Sequence, residues 1–479
     1  MATTRPDLGR MAARLGQRAA NQPWQLWTVG LLIAVPALLC IQFGAAVRPL
    51  VFLAFMPAVL VASLRWFGPM AWALALVLIS CTDAVAMRKQ AQLLATGMLV
   101  VGAALSRQLR GTPWRLSRPL CLGLLLLTAD WVVRLVVFAV VGQDTAWWGT
   151  EGLEVFERLL GYAALCLTVA EAPSELFVVV LGCALGTGVL INTAAALDQY
   201  LRGGSALFAA VDGGCISALF THRNDFARYV ALAYPMALSF ALLSTPRTHR
   251  GVAWVLVAAA VVCLYLAKSR GSLLLALLAT AIVLWHTGRR RAIPVLAVAA
   301  VLIPLLFRAS CERWFRVEEG VPRVPGWAGT LGGSFLANPW LGSGHPVGEG
   351  AHSIYVGRLA EAGIPGLATI VGFVGWSCWF ALRTLRRGRR DSVSPTAWLL
   401  PGAAATVLAS GVYLGFDTMA PLGKGISNIG FWVAMGFLAR AELAAGPARR
   451  PEVAVGPAQA RDSRSRGSAG RAGLLPRQG

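Results

Sequence analysis

The chain holds five histidines, His222, His249, His286, His345 and His352, and imidazole is the side chain whose ordinary pKa lets it take a proton near neutral pH. His352 has the most regular setting. Ser353 follows it, nine residues intervene, and Gly363-Ile364-Pro365-Gly366 closes the pattern. Guanidinium groups that could serve the same chemistry stand at Arg223, Arg228, Arg270, Arg313 and Arg316. Arginine grips phosphate-like anions through rigid, charge-assisted hydrogen bonds, and does so more strongly where water screens poorly. A base for a hydroxyl proton, with cations for a departing diphosphate, is a set of parts for group transfer. No DxD motif occurs in the chain, which disfavours metal-assisted chemistry on nucleotide-bound donors. No His, Asp or Glu cluster has the spacing of a zinc site, so neither a metal nor a cofactor is expected.

The elements that must position these residues are read from composition. Hydrophobic residues make up 57% of the 479 and charged residues 14%, against roughly a quarter charged in soluble domains. Apolar runs recur from Trp27 to the region of Leu443, each long enough to cross a hydrocarbon layer of about 30 Å. The expected fold is all-α: a polytopic transmembrane bundle of about 12 to 14 spans, solvated by a lipid bilayer. The runs cover 27–44, 49–64, 68–86, 91–106, 119–141, 153–170, 175–196, 227–244, 251–267, 271–286, 292–307, 363–382, 397–415 and 426–442.

The net charge of +21 excludes nothing by itself, but its distribution disfavours nucleic acid. The basic residues punctuate the spans instead of forming a patch interleaved with aromatics. With the basic segment 1–26 inside and retained, Arg107–Arg118, Pro246–Arg250, Arg289–Arg291 and Arg383–Arg390 all fall on the cytoplasmic side, as the positive-inside rule requires. Both termini are then cytoplasmic in a bacterial inner membrane. Residues 27–196 form an N-terminal bundle, residues 197–445 carry the candidate chemistry, and the Pro-, Gly-, Ser- and Arg-rich tail 446–479 reads as disordered. Two long connections fall outside, Asp198–Phe226 and a large periplasmic loop over 308–362; loops of such length are usually functional. The stretch Ser353–Ala360 is apolar enough for a short re-entrant or interfacial helix. Cys215 and Cys311 lie in these loops, where a disulfide is chemically permitted.

The His-Ser-x9-Gly-x-x-Gly run resembles the histidine motif of the O-antigen ligases, with Ser353 where that family more often has Asn. Three further segments resemble the same family: Arg223-Asn224-Asp225-Phe226-Ala227-Arg228-Tyr229-Val230, the Ser269-Arg270-Gly271 turn, and Asn338-Pro339-Trp340-Leu341-Gly342-Ser343-Gly344. The resemblance spans about Asp198 to Trp432 and implies a periplasmic, metal-independent, inverting transfer. The donor would be a polyprenyl-diphosphate-linked glycan, and the acceptor a glycan or a lipid-linked hydroxyl, as in lipopolysaccharide biosynthesis. By this resemblance His352, Arg270 and Arg223 are catalytic, while Arg228, Asn224, Arg316, Arg313, Ser353, Gly363 and Gly366 contact substrate.

Plainer readings compete. Arg270 sits at a helix end, where snorkelling to headgroups is the default. Arg223 and Arg228 could anchor bulk lipid phosphates, and Arg313 and Arg316 stand near Glu312, Glu318 and Glu319 and could form solvated ion pairs. Asp130 and Arg134 are four apart in one span and can pair on one helical face. Asp417 and Lys424 bracket an outer turn that could line the cavity. A polysaccharide polymerase extending the chain on its carrier would use the same parts. A transporter of lipid-linked sugars is a third reading, disfavoured because the ionisable residues gather at one face instead of along a midplane path.

Overall fold

The computed structural model describes residues 118–142, 153–172, 175–202, 216–220, 222–306, 323–345, 353–388, 394–415 and 428–445, with isolated positions between 73 and 103. The expected spans up to residue 106, the basic segment 1–26 and the tail 446–479 lie outside these residues, apart from those isolated positions. Among the described residues every element is helical and there is no strand. Six helices are long and apolar enough to cross a membrane, so the protein is a multi-pass, all-α bundle. In chain order the α-helices are α1 (Arg118–Val137), α2 (Leu153–Ala170), α3 (Glu175–Leu201), α4 (Arg223–Leu243), α5 (Arg247–Ala267), α6 (Arg270–His286), α7 (Ala292–Leu306), α8 (Arg323–Thr330), α9 (Ile354–Arg387), α10 (Pro395–Tyr413) and α11 (Ile429–Ala444). Residues 1–443 cluster as one unit and 444–479 as a second.

The helices follow the apolar runs, with α4 and α5 beginning about a turn earlier, at Arg223 against 227 and Arg247 against 251, and α9 beginning nine residues earlier, at Ile354 against 363. Hydropathy marks the length in lipid, whereas the backbone ladder continues until a residue such as His222 or Pro246 takes extended geometry. Helix α4 is the hub, packed on α3, α5, α6 and α10. Its neighbours approach closely because they offer small residues: Gly402 of α10 lies against the backbone of Pro235 and Met236, and Gly430 of α11 against Leu232. The Thr406 hydroxyl donates to the Leu232 carbonyl at 3.2 Å.

One end of the bundle is fixed by ion pairs. Arg440 of α11 bonds Glu175 of α3 at 3.0 Å and the Ala172 carbonyl, and Glu175 accepts from the backbone and hydroxyl of Thr396 at 2.9 and 2.6 Å. Glu442 accepts from Arg383 at 3.0 Å and Arg387 at 2.9 Å. Helix direction brings Pro246–Arg250, Arg289–Arg291 and Arg383–Arg387 to this same end, the grouping that the basic connections suggest. The candidate chemistry lies at the other end.

Candidate functional site

Three helix starts and one helix end meet around Tyr413, the last residue of α10, whose side chain is buried. The first start is that of α4. His222 caps it in extended geometry without a side-chain cap bond, and Asp225 sits in the first turn, where a carboxylate suits the helix dipole. Asp225 accepts from Arg228 Nη1 at 2.9 Å, and Arg228 Nε donates to the Tyr413 hydroxyl at 3.5 Å. Arg228 is only 3% exposed, so this expected substrate contact is a buried bracket between α4 and α10. Arg223 is half-buried and Asn224 exposed at the same helix start.

The second start is that of α6. Lys268 turns the chain in left-handed geometry (φ 50°), Ser269 caps the helix in extended geometry, and Arg270 follows as an exposed first helical residue. Gly271 is needed next because a Cβ there would stand 2.8 Å from Cε2 of Tyr413. The Ser-Arg-Gly turn thus seats Gly271 against the tyrosine ring, one residue after Arg270. The third start is that of α9. Ser353 is buried and extended, its hydroxyl accepts from the Val356 amide at 3.5 Å, and the Ile354 amide donates to the Leu414 carbonyl at 3.2 Å. Tyr355 adds a bond from its hydroxyl to the Gly411 carbonyl at 3.1 Å. The starts of α4, α6 and α9 are therefore joined through Gly411 and Tyr413 at the end of α10 and its C-cap Leu414.

A helix start carries partial positive charge, and a cation in the first turn is disfavoured there by roughly 0.3–1 kcal/mol. Both Arg223 and Arg270 occupy such positions. Helix-dipole energetics alone do not account for either arginine.

Gly363 and Gly366, expected to touch substrate, are buried in a bend of α9. Ala362 and Gly363 leave helical geometry, and Gly363 has φ 62° with the backbone of Trp340 and Leu341 packed where a Cβ would go. The Pro339–Gly344 turn docks here. Amides of Ser343 and Gly344 donate to the carbonyls of Ala360 and Glu361 at 2.8 and 3.1 Å, and the Ile364 amide donates to the Pro339 carbonyl at 3.0 Å. The two glycine motifs of the sequence are thus two halves of one joint. They shape an eight-residue arm, 354–361, that continues through the bend into the span. The short helix expected over Ser353–Ala360 coincides with this arm.

Two features had no clear sequence signal. Residues 216–220, within the expected outer loop, include buried positions from Ser217 to Phe220, with Ala218 left-handed at φ 51°. Gln199 clamps this segment by donating to the Ala218 carbonyl at 2.9 Å and accepting from the amides of Ser217 and Ala218 at 3.2 and 3.0 Å; Asn192 accepts from the Leu219 amide at 3.3 Å. Polar residues inside the apolar α3 were the only hint. Secondly, Asp130 and Arg134 of α1 find partners across the bundle on α9. Arg134 Nη2 lies 3.5 Å from Glu361 Oε2, Arg358 Nε lies 3.6 Å from Asp130 Oδ1, and Arg358 Nη1 lies 2.7 Å from Glu361 Oε2. The same-face pairing expected of Asp130 and Arg134 gives way to this interhelical quartet, because α9 packs along α1 with opposite charges at matching height.

His352, Arg313 and Arg316 lie outside the described residues, as do Cys215, Cys311, Asp417 and Lys424. His352 directly precedes Ser353 in the chain. No family model matches the chain, and no curated protein matches it.

Proposed function

We propose that the protein is a membrane glycosyltransferase that moves a glycan from a polyprenyl diphosphate to a hydroxyl acceptor on the periplasmic face of a bacterial inner membrane, in the manner of the O-antigen ligases its motifs resemble. The observation that carries this reading is the convergence on Tyr413 of the segments bearing Arg223, Arg270 and Ser353, two of which set an arginine on a helix start. Such an end attracts a doubly charged group at a lipid boundary, where screening is weak.

In the proposed step the acceptor oxygen attacks the anomeric carbon from the face opposite the leaving group. The new C–O bond forms as the bond from that carbon to the diphosphate oxygen breaks, so the centre inverts. His352 takes the acceptor's hydroxyl proton. Arg223 and Arg270 neutralise the charge that grows on the departing polyprenyl diphosphate. Arg228, bonded to Asp225 and Tyr413, keeps the start of α4 in register with α10.

The test compares His352→Ala, Arg270→Ala and Arg223→Ala in a strain deleted for the gene, following glycan on its carrier and on its final acceptor by gel. Loss of acceptor-linked glycan while carrier-linked polymer persists is the expected outcome. Shortened chains on the carrier would favour a polymerase. Unchanged products in all three variants would defeat both enzyme readings.

A further inference from the structure

Four charged side chains are buried together between two membrane-spanning helices: Asp130 is 3% exposed, Arg134 7%, Arg358 6% and Glu361 6%. Charge within a span is costly and is kept where it has a task. The formal charges cancel, so the set has no excess to offer a ligand. What it touches is informative. Arg358 and Glu361 are both in the arm 354–361 of α9, on the Ser353 side of the bend. Asp130, held also by the Thr369 hydroxyl at 3.0 Å, reaches past the bend to the main shaft. Arg358 therefore ties the arm to α1, and Asp130 ties α1 to the shaft.

The arm is held from three sides. The quartet fixes it to α1, the Pro339–Gly344 turn bonds its last two carbonyls, and Gly411 of α10 and the helix's C-cap Leu414 bond its first residues. At 1.5 Å per residue, Arg358 and Glu361 lie about 7.5 and 12 Å along the helix from Ser353. A bend containing a left-handed glycine is a natural hinge. Without lateral restraint the arm could pivot there, and Ser353 would move relative to the starts of α4 and α6.

We infer that the interhelical quartet Asp130–Arg134–Arg358–Glu361 is a positioning device that sets the Ser353 cap of α9, next in the chain to His352, relative to the helix starts that bear Arg223 and Arg270. The inference rests on the glycosyl-transfer reading for its effect on rate, though not for its effect on the arm. Arg358 is the principal positioning residue, because its guanidinium donates to Glu361 through Nη1 at 2.7 Å while its Nε faces Asp130 at 3.6 Å, an ion-pair contact without a hydrogen bond. A lysine ammonium cannot take both directions at once.

A structural role and a positioning role separate cleanly under one replacement. Exchanging a whole buried ionic set for apolar residues of similar size often leaves stability unchanged or raised. The combined variant Asp130→Leu, Arg134→Met, Arg358→Met, Glu361→Leu is purified in detergent beside wild type. Thermal unfolding, hydrogen exchange over 354–361, binding of undecaprenyl diphosphate, and transfer from undecaprenyl-diphosphate-linked glycan extracted from the same cells are measured. The expected result is a retained melting temperature, exchange in the arm faster by tenfold or more, diphosphate affinity within about threefold, and kcat lower by roughly 10- to 100-fold. Arg358→Lys, which keeps the charge, should fall between the two, and it serves as the test protein if the combined variant does not fold.

Unchanged exchange over 354–361 overturns the inference whatever the protein catalyses. Faster exchange with undiminished kcat, in an enzyme that needs His352, overturns it as well. If His352→Ala and Arg270→Ala both transfer normally, the functional reading falls alone, and the exchange measurement still decides whether the quartet holds the arm.

Discussion

Arginine is used in two ways in this protein. In the α1–α9 interface Arg134 and Arg358 are buried and face carboxylates within 3.6 Å, while at the Tyr413 end Arg270 is exposed and Arg223 half-buried on helix starts. The interior pair has its charge cancelled in place, which makes it suited to holding geometry and unsuited to gripping a ligand. The outlying pair stands at the positive ends of helix dipoles, where the proposed transfer would place its diphosphate. The residue type is the same in both regions, and burial with its partners decides the task.

The sharpest way to break that contrast is to remove one member of each set and compare stabilities. Glu361→Ala removes the carboxylate that Arg134 and Arg358 share in the interior and should cost about 3–5 kcal/mol of folding stability, read as a fall in melting temperature. Gly363→Ala should follow at about 1–3 kcal/mol, since φ 62° and the abutting Trp340–Leu341 backbone both oppose a Cβ. Tyr413→Phe removes only the hydroxyl that accepts from Arg228 at 3.5 Å; a loss of about 0.5–1.5 kcal/mol is expected. Arg270→Ala should stay within about 0.5 kcal/mol of wild type in stability, yet abolish glycan transfer. If Arg270→Ala destabilises as much as Glu361→Ala, the division between holding and gripping arginines is wrong.

A smaller test sits at the opposite end. Burial works against the Glu175 carboxylate, but the Thr396 hydroxyl and amide together with Arg440 outweigh it and hold its pKa below the ordinary 4.5. A lowered folded-state pKa means stability that is present above 4.5 and lost as pH falls through the folded value. The difference in melting temperature between wild type and Glu175→Gln should therefore shrink as the pH is taken below 4.5. A difference that grew on acidification would show that the carboxylate is not held by Arg440.

Much of the fold was legible because lipid removes alternatives: a backbone without water must bond within its own helix, so long apolar runs became α1, α3, α4, α5 and α10 nearly as read. The site was legible in part. Arg223, Arg270 and Ser353 stood out by motif and converge on α10, whereas Tyr413 gave no signal, since a tyrosine ending an apolar run looks like an interfacial anchor. Gly363 and Gly366 were visible as a pattern, but their role as a joint for Pro339–Gly344 was not.

By itself the amino-acid sequence determined the helices, their rough ends and the grouping of the basic connections, because hydropathy and helical hydrogen bonding are local quantities. The tertiary structure alone decided which charges meet. Asp130 and Arg134 suit each other within one helix, yet their partners stand more than 200 residues away on α9, and only the packing of α1 along α9 sets those heights level. The same holds for Tyr413, whose ring meets Gly271 and whose hydroxyl meets Arg228. Distances between helices are a property of the assembled bundle, and no local pattern encodes them.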